Sequence, residues 1–426
     1  MKVLLLAAGI SKRMAPIGDK NFLNFLGKPL IWHQLKFLEK NGAKEVMIVG
    51  SETSLERLAE VGAGFEMKVS VCEQRDLNLG MAGAVLAARE FVDGDEEFVI
   101  FSGNDVVEDS ALKLVLEAEG AASYLLGKRV ESYFPGGYLE IEGDLIKHIV
   151  EKPGAGNEPS DMVNLVVHRH TQPRELLAYL DKAESEKDDL YEVALAAMMR
   201  DGVRFKAVPY SGFWQAVKYP WHVHGVFKFL FERAEKFVDA SVEIAESATI
   251  DGEVIMEAGV KVLENAVVRG PVYLGVGSVV GNNALVRESH LGAGSVAGFN
   301  TEVARSYCFG QMRTHMNYVG DSVIAENVSF GAGTITGNLR LDEQAVSVLV
   351  RGEKVDTGNQ KIGAFIGRDV RVGINTSIMP GVKIGAGSFI GAGIVVAKDV
   401  EEGKFVVGRG EVEIKEKREK SRKLGR

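Results

Sequence analysis

The sequence predicts an α/β domain on a mostly parallel sheet, followed by a parallel β-helix built from six-residue repeats. Two observations carry this. From Met1 to about Asp239, short apolar runs alternate with segments whose apolar residues recur at helical spacing. Beyond about Asp239, one apolar residue recurs at every sixth position. These are Ile244, Ile250, Met256, Val262, Val268, Leu274, Val280 and Val286, and later Ile366, Val372, Ile378, Ile384, Ile390 and Val396.

The elements follow in chain order. "KVLLLAAG" ends in Gly9, and Ser11, Lys12 and Arg13 arrive at once. This run is far short of the ~18 residues of a membrane span. Its charges follow the apolar stretch, whereas a secretory leader carries them ahead of it, so it reads as a buried first strand. "EVMIVG", "MKVSVCE" and "EFVIFSG" read as further strands, and "PLIWHQLKFLEKNG" as a helix stopped by Gly42. Strand alternating with helix argues for a parallel sheet whose ligands sit at the carboxyl ends of the strands. This domain is placed at residues 1–230. "EKFVDASVE" reads as a helix in the linker, 231–240, ending at the first coil. The strict hexad fits neither a helix face nor a two-sided strand. It fits a β-helix at 241–410 with one inward apolar residue per flat face and small residues at the corners. Residues 334–361 break the hexads and read as a hairpin or loop thrown out from one coil. The last twelve residues, "KEKREKSRKLGR", within a tail at 411–426, read as a solvated basic segment that could reach an anionic ligand.

The totals narrow the function. The 426 residues are 46% hydrophobic and 26% charged, and a net charge of -9 argues against a general nucleic-acid or anionic-membrane binder. Cys72 and Cys308 give neither a zinc spacing nor a disulfide framework, which suits a reducing cytoplasm.

A strand ending in Gly9 and followed by cations can offer backbone N–H groups and positive charge to a polyphosphate. The stretch "LAAGISKRMAP" resembles the signature loop L-A-A-G-x-G-T-R-h-x-P (h apolar) of sugar-1-phosphate nucleotidylyltransferases. Lys20 stands eight residues before Lys28 of "GKPL", the family's spacing, although Asp19 replaces the family's proline. "EQRDLNLGMAGA", "FSGND", "IVEKPG", "MVNLVV" and "FWQAVKYPWHVHG" resemble the later motifs in family order. The resemblance implies that Leu6, Ala8, Gly9, Gln74 and Gly80 hold the nucleotide. Gly137, Glu151, Lys152 and Asn164 would hold the sugar phosphate. Arg13 would hold the leaving phosphates, and Lys20 would bridge the nucleophilic and α-phosphates. It also implies Mg²⁺ on two carboxylates. Here Asn104 takes the first ligand's place in ungapped alignment, Asp105, one residue late, is the expected ligand of a weak Mg²⁺ site held mostly by the NTP, and Ala216 stands where the second ligand belongs. Met81 replaces a threonine. His222 and His224 form an H-x-H pair with no third ligand at motif spacing.

"THMNYVGDSVIAENVSFGAGTITGNLRLD" resembles the signature of the bifunctional glucosamine-1-phosphate acetyltransferase/N-acetylglucosamine-1-phosphate uridylyltransferase family. It resembles the archaeal two-domain members more closely than the bacterial ones, sharing "NLRLD" and the run Val355–Gly367. By itself His315 reads as a histidine packed along a coil or as a base titrating near neutral pH. The resemblance makes it the base that deprotonates a sugar ammonium. It implies that Tyr318 contacts the sugar phosphate, that Asn338 binds the amino sugar, and that Ala332 offers its N–H to the acetyl carbonyl. Arg305 and Lys361 become phosphate or coenzyme A cations. Ser329 is placed with these contacts to the amino-sugar phosphate and acetyl-CoA, although it and Leu339 depart from the bacterial pattern. The resemblance further implies a left-handed coil, acetyl-CoA as cosubstrate, UTP or another NTP with a sugar 1-phosphate, and a homotrimer with the acyl site between subunits. The alternative is an active acetyltransferase joined to a nucleotide-sugar-binding or regulatory first domain.

Overall fold

The computed structural model describes residues 1–186 and 189–408, so the basic tail lies outside the described residues. The first domain is built on a nine-stranded sheet. Its strands are β1 (Lys2–Leu6), β2 (Glu45–Gly50), β3 (Lys68–Glu73), β4 (Phe98–Ser102), β5 (Ser123–Arg129), β6 (Gly137–Glu142), β7 (Leu145–Glu151), β8 (Met162–His170) and β9 (Phe205–Pro209). Their order is β3-β2-β1-β4-β8-β5-β9-β7-β6. The first four are parallel, with Leu4 opposite Met47 and Ile100. The inner strands β1, β2 and β4 are largely buried on both faces, which is why they read as unbroken apolar runs, whereas the edge strand β3 is only half-buried. The other half of the sheet is mixed. β8 runs antiparallel to β4 and β5, and β6 and β7 form a hairpin through Gly143, whose φ of +66° suits glycine. A hairpin needs no crossover helix, so the parallel pattern stops there. The helix Leu30–Lys40 ends at Asn41 and Gly42, as its spacing predicted.

In the second half, short parallel strands stack in three faces. Glu243 pairs with Lys261 and Lys261 with Val279, so each of these first coils takes eighteen residues, three hexads. Met256, Val262, Val268, Leu274, Val280 and Val286 all point into the core, as do Ile366 through Val396. Ile244, at the open end of the first coil, is exposed. Between Val286 and Leu291, and between Val303 and Cys308, the inward step shortens to five residues. Thr336 fills one inward place with a polar side chain. The coil continues there although the hexad signal fails. The coil from Ser329 to Arg371 throws out a hairpin, Ser347–Val350 with Glu353–Asp356, within the stretch expected to do so.

The halves pack closely. On one face of the β-helix the outward residues Ile255, Tyr273, His290, Tyr307, Val323 and Phe365 lie in register. They are buried against Phe25, Trp221 and the helix His222–Arg233, and the hairpin's Val346, Val348 and Val350 join the same cluster. His290 stacks 4.5 Å from Tyr273 and 4.2 Å from Tyr307. Its Nδ1–H donates to the Cys308 carbonyl (3.0 Å), and its Nε2 accepts the Leu26 N–H (3.2 Å). The Tyr307 hydroxyl donates to the Asn24 carbonyl. The linker corrects one expectation: "EKFVDASVE" is not helical. The helix ends at Arg233, and the Asp239 N–H donates instead to Met256 O (2.9 Å), so the chain enters the first coil extended. Among the described residues, no helix is long and apolar enough to cross a membrane.

Candidate functional site

The structure holds two groups of chemically capable residues, one in each half. The first lies beyond the carboxyl end of β1. Here Asp19, the departure from the motif's proline, fixes the loop by hydrogen bonds instead of by a ring. Its carboxylate accepts from Ser11 Oγ (3.2 Å) and from the Asn21 N–H (3.0 Å), while Ser11 Oγ accepts the Lys20 N–H (3.1 Å). Asn21 Nδ2 donates to Ala7 O (2.8 Å) and ties the turn back to the strand end, a tie that the sequence did not reveal. The Lys20 ammonium is thereby laid against Gly9: a Cβ there would sit 3.5 Å from Lys20 Nζ.

Asp105 lies opposite Ala216 on a short antiparallel pair, Asp105–Val107 with Trp214–Ala216. Its Oδ1 accepts the Trp214 indole N–H (3.0 Å). Burial raises its pKa, opposed by hydrogen bonds from Trp214 and Ser102 and by the charges of Lys218 and Lys20. Burial, partly offset by Asp105, likewise pushes Lys20 down to about 8 and Lys218 down to about 8. Lys218 was not singled out from the sequence. The cue was present, a lysine two residues beyond the missing carboxylate. One carboxylate, already accepting an indole N–H and flanked by two ammonium groups, does not fit the two-carboxylate Mg²⁺ site that the resemblance implies.

The sugar-side residues converge. A Cβ on Gly137 would meet Glu151 Oε2 at 3.1 Å and Asn164 Cβ at 3.6 Å. Glu151 pairs with Lys152 (2.8 Å). Asn164 Oδ1 lies 2.9 Å from His168 Nε2, and His168 Nδ1 lies 3.0 Å from the Tyr191 hydroxyl. Burial drives His168 well below its ordinary pKa, so it is a neutral prop for Asn164 that sequence reading missed. Gln74 is buried, and its Nε2 donates to Gly80 O (2.8 Å) and Asp76 O (3.1 Å), closing the turn before the helix Gly80–Ala87. Leu6 and Ala8 flank the strand end. A cavity of about 630 Å³ runs from Gly9, Ser11 and Lys12 to Lys383, Asp399 and Glu401 of the last coils, so the β-helix walls one side of the loop. His222 and His224 make no metal pair. They lie two apart on a helix and so diverge. His222 Nδ1 lies 2.5 Å from Ala216 O, and His224 Nε2 is buried without a partner.

The second group is centred on His315, whose side chain is exposed. Asn317, unremarked in the sequence, organises it. Its Oδ1 accepts the His315 N–H (2.5 Å), and its Nδ2 donates to Gly331 O (2.8 Å) and Thr334 O (3.1 Å). The Gly333 N–H donates to Met316 O (3.0 Å), so the Gly331-Ala332-Gly333 turn and the histidine loop form one unit. Nearby, Asn338 Nδ2 donates to the Tyr318 hydroxyl (3.0 Å) and to the Asp321 carboxylate. Asp321, also unremarked, takes Arg305 Nε and Nη2 at 2.7 Å each. Arg305 is therefore firmly protonated and already paired. Lys361 is exposed and bridges Leu339, next to Asn338. Ser329 lies on the adjoining face, paired with Arg371.

Residues 2–217 match the nucleotidyl transferase family, and residues 363–398 match the bacterial transferase hexapeptide family of six repeats. The chain is 34% identical over 415 residues to a Sulfurisphaera tokodaii protein called bifunctional sugar-1-phosphate nucleotidylyltransferase/acetyltransferase, covering 95% of this chain and 99% of that one. It is 33% identical to a Methanococcus maripaludis protein and 32% identical to a Methanocaldococcus jannaschii protein, both called bifunctional protein GlmU. These matches cover 98% and 97% of this chain and 100% and 98% of those proteins. With both transferase domains matched in order and over nearly its whole length, the chain belongs to the family of bifunctional sugar-1-phosphate nucleotidylyltransferase/acetyltransferase enzymes.

Proposed function

We propose that this enzyme acetylates glucosamine 1-phosphate with acetyl-CoA and then joins the product to UMP from UTP, forming UDP-N-acetylglucosamine and pyrophosphate. What carries the proposal is the presence in one chain of a cationic loop against Gly9 and of a histidine braced to a Gly-Ala-Gly turn. In the β-helix, His315 would take a proton from the sugar ammonium. The freed amine attacks the thioester carbon, the N–C bond forms, and the coenzyme A thiolate leaves. The Ala332 N–H would face the carbonyl oxygen as charge develops there. Tyr318, Asn338 and Lys361 line the sugar-phosphate side, with Arg305 and Asp321 bracing Asn338. In the first domain a sugar-phosphate oxygen attacks the α-phosphorus in line, and pyrophosphate departs with the electron pair of the broken bond. Arg13 faces the leaving phosphates, Lys20 spans the nucleophilic and α-phosphates, and Glu151 and Asn164 hold the sugar. Mg²⁺ enters only as the counter-ion that UTP brings.

The domains are assigned to 1–230 and 241–410, the coil to the left-handed class, and the setting to the cytoplasm. The exposed apolar residues Ile335, Val395, Phe389 and Phe405, on the two faces not covered by the first domain, support packing as a homotrimer. The test is a substrate matrix on purified enzyme. Four NTPs and several sugar 1-phosphates are scored by pyrophosphate release, and amino-sugar phosphates by coenzyme A release. UTP with N-acetylglucosamine 1-phosphate, and glucosamine 1-phosphate with acetyl-CoA, should dominate. NTP binding without pyrophosphate release from any pair would replace the proposal with a binding-only first domain.

A further inference from the structure

We propose that Lys218 is a phosphate-binding cation of the first site, supplying from the protein the positive charge that a metal on two carboxylates would otherwise supply. The proposal rests on the nucleotidyl-transfer reading above. Its starting point is the misfit of the donor set. Ala216 sits directly across from Asp105, so the second carboxylate is missing at the position that faces the first. The pairing continues one residue, with the Val217 N–H donating to Asn104 O (2.8 Å), and the chain then turns into the helix His222–Arg233. Lys218 occupies that turn. Its ammonium and the Asp105 carboxylate act on each other electrostatically.

The side chain is held in place. Lys218 Nζ donates to Pro135 O (2.8 Å) and lies 3.8 Å from the centre of the Phe134 ring. An ammonium has three N–H groups, so this one hydrogen bond leaves capacity for phosphate oxygens. The charges acting on it are Asp105, Arg13, Glu151 and Lys152, which come from three separate stretches of the chain. In the proposed reaction Arg13 belongs to the leaving-phosphate side and Glu151 and Lys152 to the sugar side, so Lys218 feels charges assigned to both sides. Asp105 is also within reach of Lys20, which in turn feels Arg13. Four cations, Arg13, Lys20, Lys152 and Lys218, are thus set against three carboxylates, Asp19, Asp105 and Glu151. A half-buried excess of positive charge is costly unless an anion completes it, and a polyphosphate does so. Lys218 exchanges no proton in the reaction. Its N–H groups donate to non-bridging oxygens as charge spreads over them.

The experiment uses the full chain and two substitutions, Lys218→Met, which keeps the length of the stem and removes the charge, and Lys218→Arg, which keeps the charge. Binding of UTP, and then of the other three NTPs, is measured by calorimetry in Mg²⁺-free buffer with EDTA. Wild type should bind at least one NTP. K218M should bind it about tenfold or more weakly, the fold-loss of one charge-assisted hydrogen bond, and K218R should stay within about threefold of wild type. K218M should also lower kcat for pyrophosphate release by about a hundredfold with acetyl transfer unchanged, which certifies the fold. Equal NTP binding by K218M and wild type in EDTA overturns the proposal, as does a wild type that binds NTP only with Mg²⁺. Metal-free binding that K218M weakens, with no pyrophosphate release by wild type, would sustain Lys218 and refute the reading of the domain as catalytic.

Discussion

Replacing Asn317 with alanine should cripple acetyl transfer without touching the histidine itself. The Asn317 side chain makes three hydrogen bonds, all to backbone: it accepts from His315 N–H and donates to Gly331 O and Thr334 O. The residue is 4% exposed, so water cannot readily replace it. Each bond is worth about 1 kcal/mol net, and each buried partner left unpaired costs about 1–3 kcal/mol. The expected loss of stability is about 3 kcal/mol. The kinetic loss follows from geometry. Asn317 is the strap between the histidine loop and the turn that would face the acetyl group, and a shift of about 1 Å between reacting groups costs about a hundredfold. We expect kcat for coenzyme A release, read with a thiol reagent, to fall ten- to a hundredfold. KM for acetyl-CoA should stay within threefold, and the pH dependence of the remaining activity should keep its wild-type midpoint, because the base is displaced and not replaced. Pyrophosphate release by the first domain is the internal control. If Asn317→Ala retains kcat within threefold of wild type while chemical denaturation shows the 3 kcal/mol loss, the strap is structural only and His315 does not depend on it.

Three further outcomes are expected. His315→Ala should reduce acetyl transfer by about a hundredfold or more and leave nucleotidyl transfer intact, whereas Lys20→Ala should do the reverse; activity assays on each variant separate the two, and joint loss with an intact fold refutes the site assignments. Because burial holds Lys20 and Lys218 at about 8, both ammonium groups are charged below that pH and lose their protons above it. The kcat/KM for pyrophosphate release should therefore decline as pH rises past about 8, where a solvent-exposed lysine would stay charged to about 10; a flat profile from pH 7 to 9.5 would show that neither charge is needed. Tyr307→Ala removes a fully buried ring stacked on His290 and a hydroxyl that holds Asn24, and should cost about 3–5 kcal/mol in denaturant unfolding, while a loss below 1 kcal/mol would show that the two halves do not stabilise each other.

The sequence by itself determined what repeats and what is local. The hexad from Met256 to Val286 and from Ile366 to Val396 names the inward residues because a flat face of the coil has room for one apolar side chain per strand. The loop that follows β1, with Gly9, Ser11 and Lys20, was legible because its hydrogen bonds are made within a few residues of chain, and the spacing from Lys20 to Lys28 carried the family resemblance. The inserted hairpin announced itself by breaking the period. Tertiary structure decided the rest. The outward ladder Ile255, Tyr273, His290, Tyr307, Val323 and Phe365 mixes aliphatic, aromatic and titratable residues, so no single pattern exposes it until a second domain covers it. Its key hydrogen bond joins Leu26 to His290, 264 residues away. Asn317 and Asp321 look like ordinary polar residues of a coil until their partners from neighbouring coils arrive. Lys218 acquires its meaning only because folding sets Ala216 against Asp105, leaving a lysine next to a carboxylate whose own partner is absent. Periodicity records what each residue does within its own coil or strand. Contacts between distant segments depend on where the chain returns, and that is fixed by packing.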